Sequence, residues 1–133
     1  MLPHMRGVGV VAAMLIVGFL QGVWHLPLLL TTNLYHAAGD PRIVVSLFLV
    51  TLTLAGVFFG YLRVTSGSIW PVAGAHAAVN VAWGISMEVS QTKSTLVLEY
   101  IGGESGILMI CGLLAADALL IRKLRNAARA ARV

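Results

Sequence analysis

Four apolar runs, each bounded by charged or turn-forming residues, organise the chain. Residues 7–30, 43–62 and 64–87 contain no Asp, Glu, Lys or Arg, and 105–121 carries one acid, Asp117. A helix crosses the roughly 30 Å apolar core of a bilayer with about 20 residues. Each run therefore predicts one helical span, at 8–30, 43–62, 66–87 and 105–121, with a basic juxtamembrane tail at 122–133. Nothing alternates with period two, and the runs are rich in Ala, Leu and Gly, which argues against strands. The expected fold is all-α: a polytopic transmembrane helix bundle of about four spans, forming a single domain over 1–133. No internal repeat or low-complexity segment interrupts it.

Composition supports the pattern. The 133 residues are 59% hydrophobic and 11% charged, against roughly 25% charged in a soluble domain. So few charges cannot cover a water-soluble globule, and the excess apolar surface must face lipid. The net charge of +4 does not point to nucleic acid, because the basic residues gather at the ends of apolar runs rather than over one soluble face. With the N-terminus inside, seven of the nine basic residues fall inside: Arg6, Arg63, Arg122, Lys123, Arg125, Arg129 and Arg132. Arg42 and Lys93 fall outside with Asp40, Glu88, Glu99 and Glu104. The positive-inside rule selects N-in, C-in. The expected location is the plasma membrane, the inner membrane in a bacterium, with the lipid bilayer as first partner. The run after Arg6 is too long for a signal-peptide core and lacks a small-x-small cleavage site, so it reads as a true span. The lone cysteine, Cys111, allows no internal disulfide and reads as a small apolar side chain.

The connections fit the same scheme. Residues 33–41 form a turn-rich outer loop, and Thr65-Ser66-Gly67-Ser68 a tight inner turn. The longest connection, 88–104, has a Leu96-Val97-Leu98 core suited to the outer membrane surface. In the tail, Arg122, Arg125, Arg129 and Arg132 share one helical face, as in a helix lying on anionic headgroups; the plainer alternative is a solvated, frayed tail.

Polar residues inside the runs carry the functional information. Gln21 and His25 lie one turn apart on a face with Gly18 and Gly22. His76 and Asn80 are likewise four apart, on a face with Ala73, Ala77 and Gly84. Small residues permit close helix approach, and polar groups in a bilayer seek protein partners. Both faces are therefore expected to point into the bundle, where His25 would meet His76. The plainer alternative is an interhelical hydrogen bond worth ~1 kcal/mol. In straight helices His25 lies towards the outer end of its span and His76 towards the inner end of its own, so tilt or a break at Pro27 would have to align them. Pro27 is expected to kink or end the first helix. Gly56 and Gly60 read as packing positions, and Asp117 as an interfacial ion-pair partner of Arg122. Trp24, Trp70 and Trp83 fall near span ends as an aromatic belt, and His4 and His36 are assigned no role.

The segment Gly22-Val23-Trp24-His25-Leu26-Pro27-Leu28 resembles the second motif of the CAAX protease and bacteriocin-processing (CPBP) family. Gly67-Ser68-Ile69-Trp70-Pro71, followed by His76-Ala77-Ala78-Val79-Asn80, resembles its later His-x-x-x-Asn motif. The Gly-rich turn at 102–106 before a last span fits the same pattern. The resemblance implies an intramembrane endopeptidase acting on a membrane-associated peptide or protein, with His25, His76 and Asn80 as catalytic residues. His25 and His76 would orient a water or hold a divalent metal such as zinc, and Asn80 would bind the oxyanion or steady His76. Two departures stand out. Gln21 occupies a position where the family often has Phe, and the family's Glu-Glu-x-x-x-Arg motif is nowhere in the chain. The glutamate is the expected base, so the chain reads as truncated before its catalytic glutamates, with preceding helices or a second copy needed to cover its polar faces. Two other classes are a non-catalytic membrane protein of the same fold, acting in immunity or as a scaffold, and a bis-His haem cytochrome using His25 and His76.

Overall fold

The computed structural model describes residues 9–32, 39–90 (Met87 by its backbone alone) and 94–130. Arg6, Lys93, Arg132, His4, His36 and outer-loop residues 33–38 lie outside the described residues. Helix α1 runs Val10–Thr31, α2 Pro41–Ser66, α3 Trp70–Val89 and α4 Ile107–Ala130, with a π-helical turn at Leu96–Ile101 between α3 and α4. The four helices overlie the four apolar runs, and no strand occurs among the described residues. Helices α1 and α2 are long and apolar enough to cross a membrane. Their 22 and 26 residues correspond to about 33 and 39 Å of helix. His76, Asn80 and Glu88 dilute α3, and Asp117, Arg122 and Lys123 interrupt the apolar course of α4.

Local chemistry sets the ends. Pro41 begins α2 behind an Asp40 cap, whose carboxylate accepts the Arg42 N–H at 2.8 Å. The Asp40 N–H donates to the Tyr100 hydroxyl at 2.6 Å, tying the π-helical turn to the start of α2. At the other end Gly67 adopts φ 65°, a left-handed conformation that stops the helix without Cβ strain. The Ser68 hydroxyl then accepts the Trp70 N–H at 3.3 Å at the start of α3. Pro27 does not end α1, which continues four residues further. The hydroxyls of Thr31 and Thr32 donate to the carbonyls of Pro27 and Leu28 at 2.6 and 2.7 Å, satisfying acceptors at the fraying end.

Helix α2 is the centre of the fold, with α1, α3 and α4 each packed against it. The closest approach is backbone on backbone. A Cβ on Gly56 would stand 2.6 Å from Gly18 Cα and 2.6 Å from the Met14 carbonyl oxygen; one on Gly18 would stand 2.5 Å from the Leu52 oxygen. Gly60 is filled by the Met14 side chain, and Gly22 lies under Leu49. The expected packing role of Gly56 and Gly60 is met in this crossing. The small face of α1 is thus spent on α2 rather than turned towards α3.

One expectation is corrected here. Arg122 is not the ion-pair partner of Asp117: the five-residue separation puts them about 140° apart around α4. Asp117 is instead 4% exposed, and both its carboxylate oxygens lack a hydrogen-bond partner among the described residues. The basic tail from 122 continues α4 without a break to Ala130. A buried polar group without a partner costs about 1–3 kcal/mol. Asp117→Leu is therefore expected to raise the midpoint of thermal unfolding in detergent, and a lowered midpoint would mean that the carboxylate has a partner.

Candidate functional site

Three helices wall one cavity of about 530 Å³. From α1 come Val17 and Gln21; from α2 come Gly56, Phe59, Gly60 and Arg63; Ile69, Val72, Ala73 and His76 complete the wall from the start of α3. The glycines that let α1 and α2 approach also form its floor. The lining is mainly apolar, with one amide, one guanidinium and one imidazole. Among the described residues no acidic side chain borders it. In such a site a few polar groups orient a ligand while the apolar walls bury it.

His76 is half-buried and packs beside Phe59, with ring centroids 5.5 Å apart and planes 33° from parallel. Its ring nitrogens make no hydrogen bond to any described residue, so both are available to a molecule in the cavity. Asn80, one turn further along α3, is exposed. So are Ala73, Ala77 and Gly84, and no residue of α3 with a described side chain is buried. The expectation that this face points into the bundle is therefore corrected: α3 rests on α2 along one edge, and its Asn80 side is open. A Cβ on Gly74 or Gly84 would meet nothing within 4 Å.

His25 sits elsewhere. Its half-buried ring lies between Trp24, edge-on at 5.0 Å, and Phe48, at 5.9 Å. Nδ1 is 2.7 Å from the Gln21 carbonyl oxygen. A carbonyl only accepts, so Nδ1 carries the proton and, in the neutral ring, Nε2 keeps its lone pair. His25 and His76 share neither a hydrogen bond nor a ring contact, and His25 does not border the cavity. Their aromatic neighbours Phe48 and Phe59 are separated by roughly 16 Å of α2. The depth mismatch anticipated from straight helices is present, and Pro27 does not remove it. In place of His25 it is Gln21, one turn nearer the start of α1, that shares a cavity with His76.

A catalytic zinc site takes three protein ligands as a rule. Among the described residues no three His, Cys, Asp or Glu side chains group closely enough to hold a metal ion. The described donors do not by themselves make such a site, and His25 does not share the cavity that His76 lines.

Arg63 and Phe59 were not anticipated as site residues. Arg63 had served only as a topology marker at the inner end of its span. The spacing held the clue, because Gly56, Gly60 and Arg63 follow one another by four and three on a single face. Once that face was assigned to packing, its next polar member belonged to the same interface.

A family profile described as type II CAAX prenyl endopeptidase Rce1-like matches residues 1–82. No curated protein and no solved structure matches the chain. The matched region holds α1, α2 and the part of α3 that carries His76 and Asn80, so every residue lining the cavity lies within it. The π-helical turn and α4 lie beyond it.

Proposed function

The chain belongs to the type II CAAX prenyl endopeptidase Rce1-like family, and from that premise we propose that it builds the substrate-holding site of an intramembrane peptidase. The helices are read as four spans, N-in and C-in, in a plasma membrane. One observation carries the proposal: Gln21, Arg63 and His76, from α1, α2 and α3, line a single apolar cavity. An extended peptide entering it would lay apolar side chains on Phe59, Ile69 and Val72. The Gln21 amide and Arg63 guanidinium are donors for its carbonyl oxygens, where charge develops during attack. His76 takes or gives the proton of that step. Asn80 lies at the open edge of the same helix to steady the substrate, and the bare Nε2 of His25 serves as an acceptor one turn beyond Gln21.

Hydrolysis needs an activated water as well. Since no carboxylate among the described residues borders the cavity, the base would come from a segment covering the open face of α3, either further helices or a second copy. That same fact favours a second reading, in which this chain binds a membrane-associated peptide without cutting it. The test uses native membranes bearing the chain with a photo-crosslinking residue at position 72 and a membrane-anchored fluorogenic peptide. The peptidase reading predicts both a crosslink and a cleavage product above membranes lacking the chain. A crosslink without product supports the non-catalytic reading. Neither signal overturns both.

A further inference from the structure

Between α2 and α4 lies a second groove, of about 430 Å³, whose lining lies beyond the family match except for Phe58 and is unused by the site above. Phe58 of α2 and Leu119 and Leu120 of α4 form its apolar wall, and Arg122, Lys123 and Asn126 form its polar end. Leu119 is 62% exposed, although it sits beside a helix-packing interface. One turn further, at about 5 Å of rise, the surface changes abruptly to exposed Arg122 and Lys123. Arg125 and Arg129 follow on the same unbroken helix, and no acid occurs after Asp117 up to Val133. Asp117 itself is buried and does not line the groove, so among the described residues no acid lines it beside the cations.

We propose that this α2–α4 groove is a binding site for an anionic phospholipid, with an acyl chain on Phe58, Leu119 and Leu120 and the headgroup phosphate on Arg122 and Lys123. The succession of apolar wall and then paired cations along one helix matches the succession of chain and phosphate along a lipid. A purely ionic partner such as nucleic acid would leave the leucines uncovered. Juxtamembrane basic residues near an anionic leaflet are a recurrent lipid-recognition pattern, and here the adjoining apolar wall makes a built site of it. The inference rests on α4 crossing the membrane, as read above.

The test is native mass spectrometry of the full chain in detergent, titrated with phosphatidylglycerol or phosphatidylcholine. Wild type is expected to retain phosphatidylglycerol preferentially. The double variant Arg122→Gln/Lys123→Gln should lose about 30-fold of that preference. Arg125→Gln/Arg129→Gln, which removes equal charge away from the apolar wall, should keep most of it, and excess inorganic phosphate should not displace the lipid. Equal loss in both double variants would reduce the effect to diffuse charge and overturn the groove. No preference in wild type, or displacement by phosphate alone, would overturn it as well. Carbonate extraction of membranes separates the underlying reading: a chain that washes out is not integral, whereas an inserted chain without lipid preference refutes only the groove.

Discussion

Gly56→Leu is expected to cost about 3 kcal/mol of stability. The physical reason is that the atoms opposing the new side chain are backbone. Gly18 Cα, Gly18 N and the Met14 oxygen would lie 2.6 to 2.9 Å from a Cβ at position 56. A side chain in the way can change rotamer, but a helix backbone moves only by separating the helices, and that gives up the tight α1–α2 packing along its length. It also opens the floor of the cavity, so substrate crosslinking should fall together with stability. Unfolding in detergent mixtures measures the first effect. Gly74→Ala is the control, because a Cβ there meets nothing within 4 Å, and it should change stability by no more than about 1 kcal/mol. If Gly56→Leu unfolds together with the control, the close crossing of α1 and α2 is not present in the membrane.

The second large effect is on turnover. Under the peptidase reading, His76→Ala should lower kcat by about 100- to 10,000-fold, the usual contribution of a positioned proton-transfer group. Measured in native membranes, where any covering segment is present, the variant should still crosslink substrate within a few-fold of wild type. The imidazole is only one part of a mostly apolar wall. Arg63→Gln should also lower kcat, by about 100- to 1,000-fold, because its guanidinium faces the carbonyl oxygen on which charge develops during attack. Cleavage by His76→Ala at the wild-type rate would remove the cavity from the chemistry. It would leave family membership untouched, since that rests on the match over residues 1–82.

Much of the architecture was legible one residue at a time. The apolar runs anticipated α1 to α4 because a hydrogen-bonded helix is the economical way to keep backbone out of contact with lipid, and hydropathy records that demand directly. Proline at 41, glycine at 67 and the serines beside it marked where helices begin and end, since turn and cap chemistry is local. The resemblance of two short motifs pointed to the family that the profile match then showed.

Rotation and pairing were another matter. In water, a helix declares its buried face by the contrast between apolar and polar sides; in lipid the outward face is as apolar as the inward one, so hydropathy carries little information about which way a helix turns. Only the contacts of α2 decided that Gly18 and Gly22 face this central helix, that Gln21 rather than His25 shares a cavity with His76, and that Arg63 lines the same cavity. The same contacts buried Asp117, whose place beside Arg122 in the chain had suggested a pair at the interface. Sequence sufficed for what each segment becomes. Which segments meet, and with which atoms, is a property of several helices at once, set by the few positions where side chains are small enough to let backbones touch.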